Sequence, residues 1–198
     1  MQKTKKIGVV ITGASGSLLG LGAIQQLHCL KESGQSLEIH LLITAGGSTT
    51  AALELNQQQI AELDGLADHR HDDHDLAASI ASGSNPLDGL LFAPCSIRSM
   101  AAIAYCQTDR LSIRAADVML KERRKLVLAL RETPLHLGHI KAMEQVTLMG
   151  GIIAPPVPAF YLKPESIEEM IQQTAARLLS YFDLDVSPIM QRWGKDGH

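Results

Sequence analysis

The sequence predicts an α/β fold of the Rossmann-like (flavodoxin-like) kind, a three-layer sandwich with a mostly parallel sheet and helices on both faces. Three observations carry this expectation. Apolar runs recur at Ile7–Ile11, Leu37–Ile43, Gly89–Ala93, Leu126–Leu130 and Gly151–Ala154, nearly continuous rather than alternating, as strands covered on both faces are. Stretches with helical spacing separate most of them, the alternation that builds a parallel sheet. Hydroxyl-bearing turns follow the first and third runs, at the strand ends where open α/β sheets bind ligands.

Taken in order, the first run ends at Thr12-Gly13-Ala14-Ser15-Gly16-Ser17, a turn in which glycines permit a tight reversal and Ser15 and Ser17 are placed to cap a helix over Ser17–Glu32. The second run leads into a helix over Gly47–Leu53. From Asn56 to Ser84 the pattern weakens, and the run Asp68-His69-Arg70-His71-Asp72-Asp73-His74-Asp75 reads as a solvated turn on a surface excursion, with no metal assigned. Helices are expected at Ile97–Tyr105, Ile113–Arg124, Ile140–Met149 and Ser166–Phe182.

At 198 residues the chain is long enough for one core and short for two, so a single domain over 1–198 is expected. A formal net charge of −3 argues against a nucleic-acid surface, which needs a basic excess. Three cysteines, Cys29, Cys95 and Cys106, with no Cys-x-x-Cys spacing suit reduced thiols in a cytoplasmic protein. No apolar run approaches the roughly 20 residues of a membrane span.

Chemistry concentrates at strand ends. After Leu130 come Arg131 and Glu132, an anion clamp and an acid/base candidate, then His136 and His139. The glycine turn presents amides suited to a phosphate. Ser96 and Ser99 sit three apart at a helix start, beside a Cys95 that reads as a small hydrophobe. Arg114, Asp117, Lys121 and Arg124 share one helix face, where surface ion pairing competes with a phosphate grip across a subunit boundary. Pro155-Pro156-Val157-Pro158 stiffens the approach to Phe160-Tyr161, and Arg177 follows on the last helix.

In this order the motifs resemble the UbiX-type flavin prenyltransferases. The likeness runs through Gly13-Ala14-Ser15-Gly16, Glu54, Ser82-Gly83-Ser84, Pro94-Cys95-Ser96, Arg114-Ala115-Ala116-Asp117, Leu120-Lys121-Glu122-Arg123-Arg124, Arg131-Glu132 and Pro158-Ala159-Phe160-Tyr161. It departs at Leu19, where the family often has Tyr, and at Thr44-Ala45, where it often has Ser-Lys. The resemblance implies transfer of a dimethylallyl group from dimethylallyl monophosphate to reduced FMN, giving prenylated FMN for a UbiD-type decarboxylase in ubiquinone biosynthesis or aromatic-acid metabolism. It also implies a metal-independent homo-oligomer, commonly a dodecamer.

By position, the resemblance implies FMN contacts from Gly13, Ala14, Ser15, Thr44, Ser96, Ile97, Arg98, Ser99 and Arg131. It implies a prenyl-phosphate site from Arg114, Lys121, Tyr161 and Arg177, and catalytic roles for Ser15, Glu54 and Glu132. The competing readings are an FMN-dependent cysteine decarboxylase of the same fold, which would want an Asn-Met segment that this chain lacks, and a non-catalytic flavin carrier.

Overall fold

The computed structural model describes residues 3–85 and 87–191. Six strands, β1 (Lys5–Ile11), β2 (Leu37–Ile43), β3 (His69–His71), β4 (Gly89–Cys95), β5 (Lys125–Leu130) and β6 (Ile152–Ile153), form one sheet in the order β3-β2-β1-β4-β5-β6. Every pairing is parallel. The order reverses between β1 and β4, so the chain leaves these neighbouring strands in opposite directions and opens a crevice at their carboxyl ends.

Side chains alternate across the sheet. Ile7, Val9 and Ile11 join the core formed with α1 (Ser17–Glu32), α2 (Ala45–Glu54), α3 (Gln57–Gly65) and α7 (Ile167–Leu179). Val10, Leu42, Phe92 and Leu128 face the other core, formed with α4 (Ile97–Ala104), α5 (Leu111–Lys121) and α6 (Leu137–Leu148). Among the described residues no helix is long and apolar enough to cross a membrane.

The stretch read as a surface excursion contains structure. Asn56 caps α3 through a reciprocal box with Gln59, His69–His71 forms the edge strand β3, and Ser79–Ala81 makes a short 3-10 turn. The polar surface of α3 and the three-residue length of β3 hid both from a reading by apolar periodicity. Helix α6 starts three residues earlier than expected because His136 caps it, its Nδ1 accepting from the Gly138 amide at 3.0 Å. The last helix ends at Leu179 and continues as a 3-10 turn over Ser180–Phe182.

Candidate active site at the switch point

Two turns meet where the strand order reverses. Thr12, fully buried at the end of β1, donates its hydroxyl to the Pro94 carbonyl at 2.8 Å and accepts the Ser96 amide at 2.7 Å. One side chain thereby sets the height of the β1 turn against the β4 turn. Ala93-Pro94 is a cis peptide bond. Gly13 lies against Gly46 of the neighbouring turn, and a Cβ on Gly13 would stand 3.1 Å from the Gly46 Cα. That close approach packs the β1 turn directly against the first turn of α2, with no room for a side chain between them.

The capping of α1 differs from expectation. Neither Ser15 nor Ser17 caps it; the N-cap is Gly16 at φ 115°, in the left-handed region that glycine occupies without strain. The first amides are taken by Glu54 from the end of α2, which accepts from Gly16 N at 2.9 Å and Ser17 N at 2.7 Å. They are not open to a phosphate. Burial opposes ionisation of Glu54, but hydrogen bonds from Ser15, Ser17 and Gly16 together outweigh it and hold the carboxyl below its ordinary range. A carboxylate at the positive end of α1 satisfies the same electrostatics.

Two other helix starts are capped by hydroxyls. Thr44 caps α2, accepting from Gly47 N at 3.1 Å, and its own amide donates to Ile11 O at 3.0 Å. Ser96 caps α4, accepting from Ser99 N at 3.3 Å and donating to Ser99 Oγ at 3.1 Å. The Arg98 side chain instead lines a cavity of about 570 Å³ with Gln107, Thr108 and Asp109, so what Arg98 brings to the α4 terminus is its amide. Cys95 is fully buried and burial pushes its thiol up, leaving it inert.

Arg131 begins the loop after β5, its amide bonded to Cys95 O at 3.0 Å, so its backbone is fixed beside the α4 turn while its side chain is exposed. Glu132, also exposed, accepts from the Thr133 amide at 3.0 Å. The rings of His136 and His139 pack with centroids 3.6 Å apart on the same loop and the start of α6.

The four residues expected to hold a prenyl phosphate fall into two pairs. Tyr161 and Arg177 line one cavity of about 630 Å³ with Val157, Ala159 and Gln173. Arg177 lies over the Tyr181 ring at 4.9 Å and donates to Ser180 Oγ at 3.1 Å. Arg114 and Lys121 sit on α5, across the sheet from α7. Both take part in ion pairs, Arg114 with Asp117 at 2.8 Å and Lys121 with Glu122 at 2.9 Å. One chain does not unite the pairs.

The Flavoprotein family model matches residues 1–179. Flavin prenyltransferase UbiX of Salmonella typhimurium is 44% identical over 190 residues, covering 96% of this chain and 98% of its own. This chain belongs to the flavin prenyltransferase family. A crystal structure of AnUbiX (PadA1), in complex with FMN and dimethylallyl pyrophosphate, matches with a TM-score of 0.90 at 42% identity over 96% of this chain and 98% of that one. A dodecameric FMN-dependent UbiX-like decarboxylase from Escherichia coli O157:H7 matches with a TM-score of 0.86 at 39% identity, over 95% and 98%.

For a flavin prenyltransferase the switch point suits the anionic end of FMN: the start of α4 presents backbone amides, and the exposed Arg131 side chain begins the loop beside it. Sequence reasoning missed Thr12. Its only signal was a polar residue ending an otherwise apolar strand.

Proposed function

We propose that this protein transfers a dimethylallyl group from dimethylallyl monophosphate to reduced FMN, making prenylated FMN for a UbiD-type decarboxylase. The supporting observation is full-length likeness to flavin prenyltransferases in a chain that keeps hydroxyl, amide and guanidinium donors around its switch point. FMN would be held by Gly13, Ala14, Ser15, Thr44, the Ser96–Ser99 turn and Arg131; when reduced and bound, it supplies the nucleophilic ring nitrogen and a π surface.

The chain's residues do the rest. Arg114, Lys121, Tyr161 and Arg177 hold the phosphate, and their charges stabilise it increasingly as the allylic C–O bond breaks. Protein cations therefore meet the leaving group without a metal. Glu54, kept ionised by its amide partners, fixes the turn that carries Ser15 and places a negative charge beside the allylic fragment. Glu132, on an exposed loop, moves the proton lost during ring closure. The two phosphate-holding pairs lie in different layers, so the site is completed by packing of copies, in a homo-oligomer that we take to be a dodecamer. We read residues 1–198 as one cytoplasmic flavoprotein domain.

The test is anaerobic incubation with reduced FMN and dimethylallyl monophosphate, followed by mass spectrometry of the extracted flavin. A product heavier by one prenyl unit is expected. Unchanged flavin would leave a carrier, and carbon dioxide released from a cysteine-terminated peptide would indicate the decarboxylase instead.

A further inference from the structure

A cluster at the far edge of the sheet has no part in this chemistry. Strands β2 and β3 pair with His40 opposite His69 and Leu42 opposite His71. Positions two apart on a strand share a face, so Glu38 and His40 of β2 and His69 and His71 of β3 project together. Glu38 Oε1 lies 3.2 Å from His40 Nε2 and 3.0 Å from His69 Nε2, and the three ligand-capable atoms fall within 4.8 Å of one another. The His40 and His69 rings stack with centroids 4.7 Å apart.

His40 supplies a second, independent observation. It is only 5% exposed, and its Nε2 is buried without a hydrogen bond although the Glu38 oxygen is near. The oxygen stands off the axis along which an N–H would donate. A cation on that axis would touch both atoms, because ligands around a small metal ion lie about 3 Å apart and off each other's lone-pair directions. The opposite ring nitrogen is fixed, with His40 Nδ1 2.9 Å from His71 Nε2. Such a partner sets the tautomer of a metal-binding histidine and leaves Nε2 as the lone pair.

We propose that Glu38, His40 and His69 form a binding site for one divalent transition-metal ion of the zinc class, with solvent completing the coordination through the half-exposed His69. Two imidazoles and a carboxylate are a donor set suited to zinc. The Lys6 ammonium, 3.8 Å from Glu38 Oε1, competes with the ion and moderates its affinity. Glu38 and His40 lie in the first four residues of β2, toward the amino ends of the strands and away from the switch point. The ion's role is to fasten the three-residue edge strand β3 to β2.

The experiment is calorimetric titration of the untagged, FMN-loaded protein with zinc chloride, paired with thermal melts with and without zinc. One ion per chain and a zinc-dependent rise in Tm are expected. His69→Ala, at a half-exposed ring, and Glu38→Gln are each expected to weaken binding by roughly 10–100-fold, at least what losing an outer partner of a metal site costs, and to abolish the rise. Absence of stoichiometric binding, or wild-type affinity in both folded variants, would overturn the proposal.

Discussion

The bond between Glu54 and the first turn of α1 is a contact in the site that sequence alone does not show, and its worth can be worked out. The carboxylate receives two backbone amides at 2.9 and 2.7 Å. Hydrogen bonds to charged groups contribute about 1.5–3 kcal/mol each when buried; Glu54 is half-buried, which places each near the bottom of that range. Interaction with the helix terminus adds about 0.3–1 kcal/mol. Glu54→Ala should therefore cost about 3.5 kcal/mol. Glu54→Gln, which keeps one acceptor and loses the charge, should cost about 1 kcal/mol.

At about 2–4 °C per kcal/mol for a chain of this length, the alanine variant should melt roughly 7–14 °C below wild type and the glutamine variant roughly 2–4 °C below, at matched protein concentration. The pH dependence has a definite sign. The folded-state pKa of Glu54 lies below its ordinary value of 4.5, so the contribution is complete above that value and is lost as pH falls through the folded one. Glu54→Gln does not titrate there. The gap to wild type should be full at pH 7 and shrink steadily below about pH 4.5. Equal melting at pH 7, or a gap constant into strong acid, would refute the capping role.

Three further outcomes follow from the same geometry. Thr12→Val, which removes a buried hydroxyl serving both Pro94 O and Ser96 N, should cost about 2–4 kcal/mol in chemical denaturation and loosen FMN retention. Gly13→Ala should yield folded protein that purifies with less flavin, since its Cβ meets the Gly46 backbone at 3.1 Å and pushes the β1 turn away from the start of α2; full flavin content would show that this turn-to-turn packing does not position the cofactor site. Glu132→Gln should slow prenylated-flavin formation on the order of 100-fold, the scale of a single proton-transfer group, with FMN still bound; loss of FMN would reassign Glu132 to binding.

How much of this was legible depends on the range of the interaction. Five of the six strands and the switch-point turns announce themselves, because burial on both faces forces continuous apolar runs and a chain reversal needs residues such as Gly13 and Gly16. Helix boundaries such as the start of α6 shift because one residue, His136, uses a ring nitrogen as a cap, which composition does not advertise. Glu54 capping a helix 37 residues upstream, and Thr12 tying together two strand ends 82 residues apart, are contacts between segments with no local pattern. The Asp/His run hid β3 for the same reason: only pairing with β2 makes it a strand and brings His69 to Glu38 and His40. Ion pairing on α5, one of the two readings left open, is what a single chain shows for Arg114 and Lys121.

The proposal that copies share one prenyl-phosphate site is tested most directly by subunit mixing. Chains bearing Lys121→Ala and chains bearing Arg177→Ala, each impaired alone, are unfolded together, reassembled in equal amounts and assayed for prenylated flavin. If α5 of one copy meets α7 of another, about one quarter of the mixed sites carry neither substitution, and activity should rise well above that of either parent. Mixed oligomers no more active than the parents would contradict it.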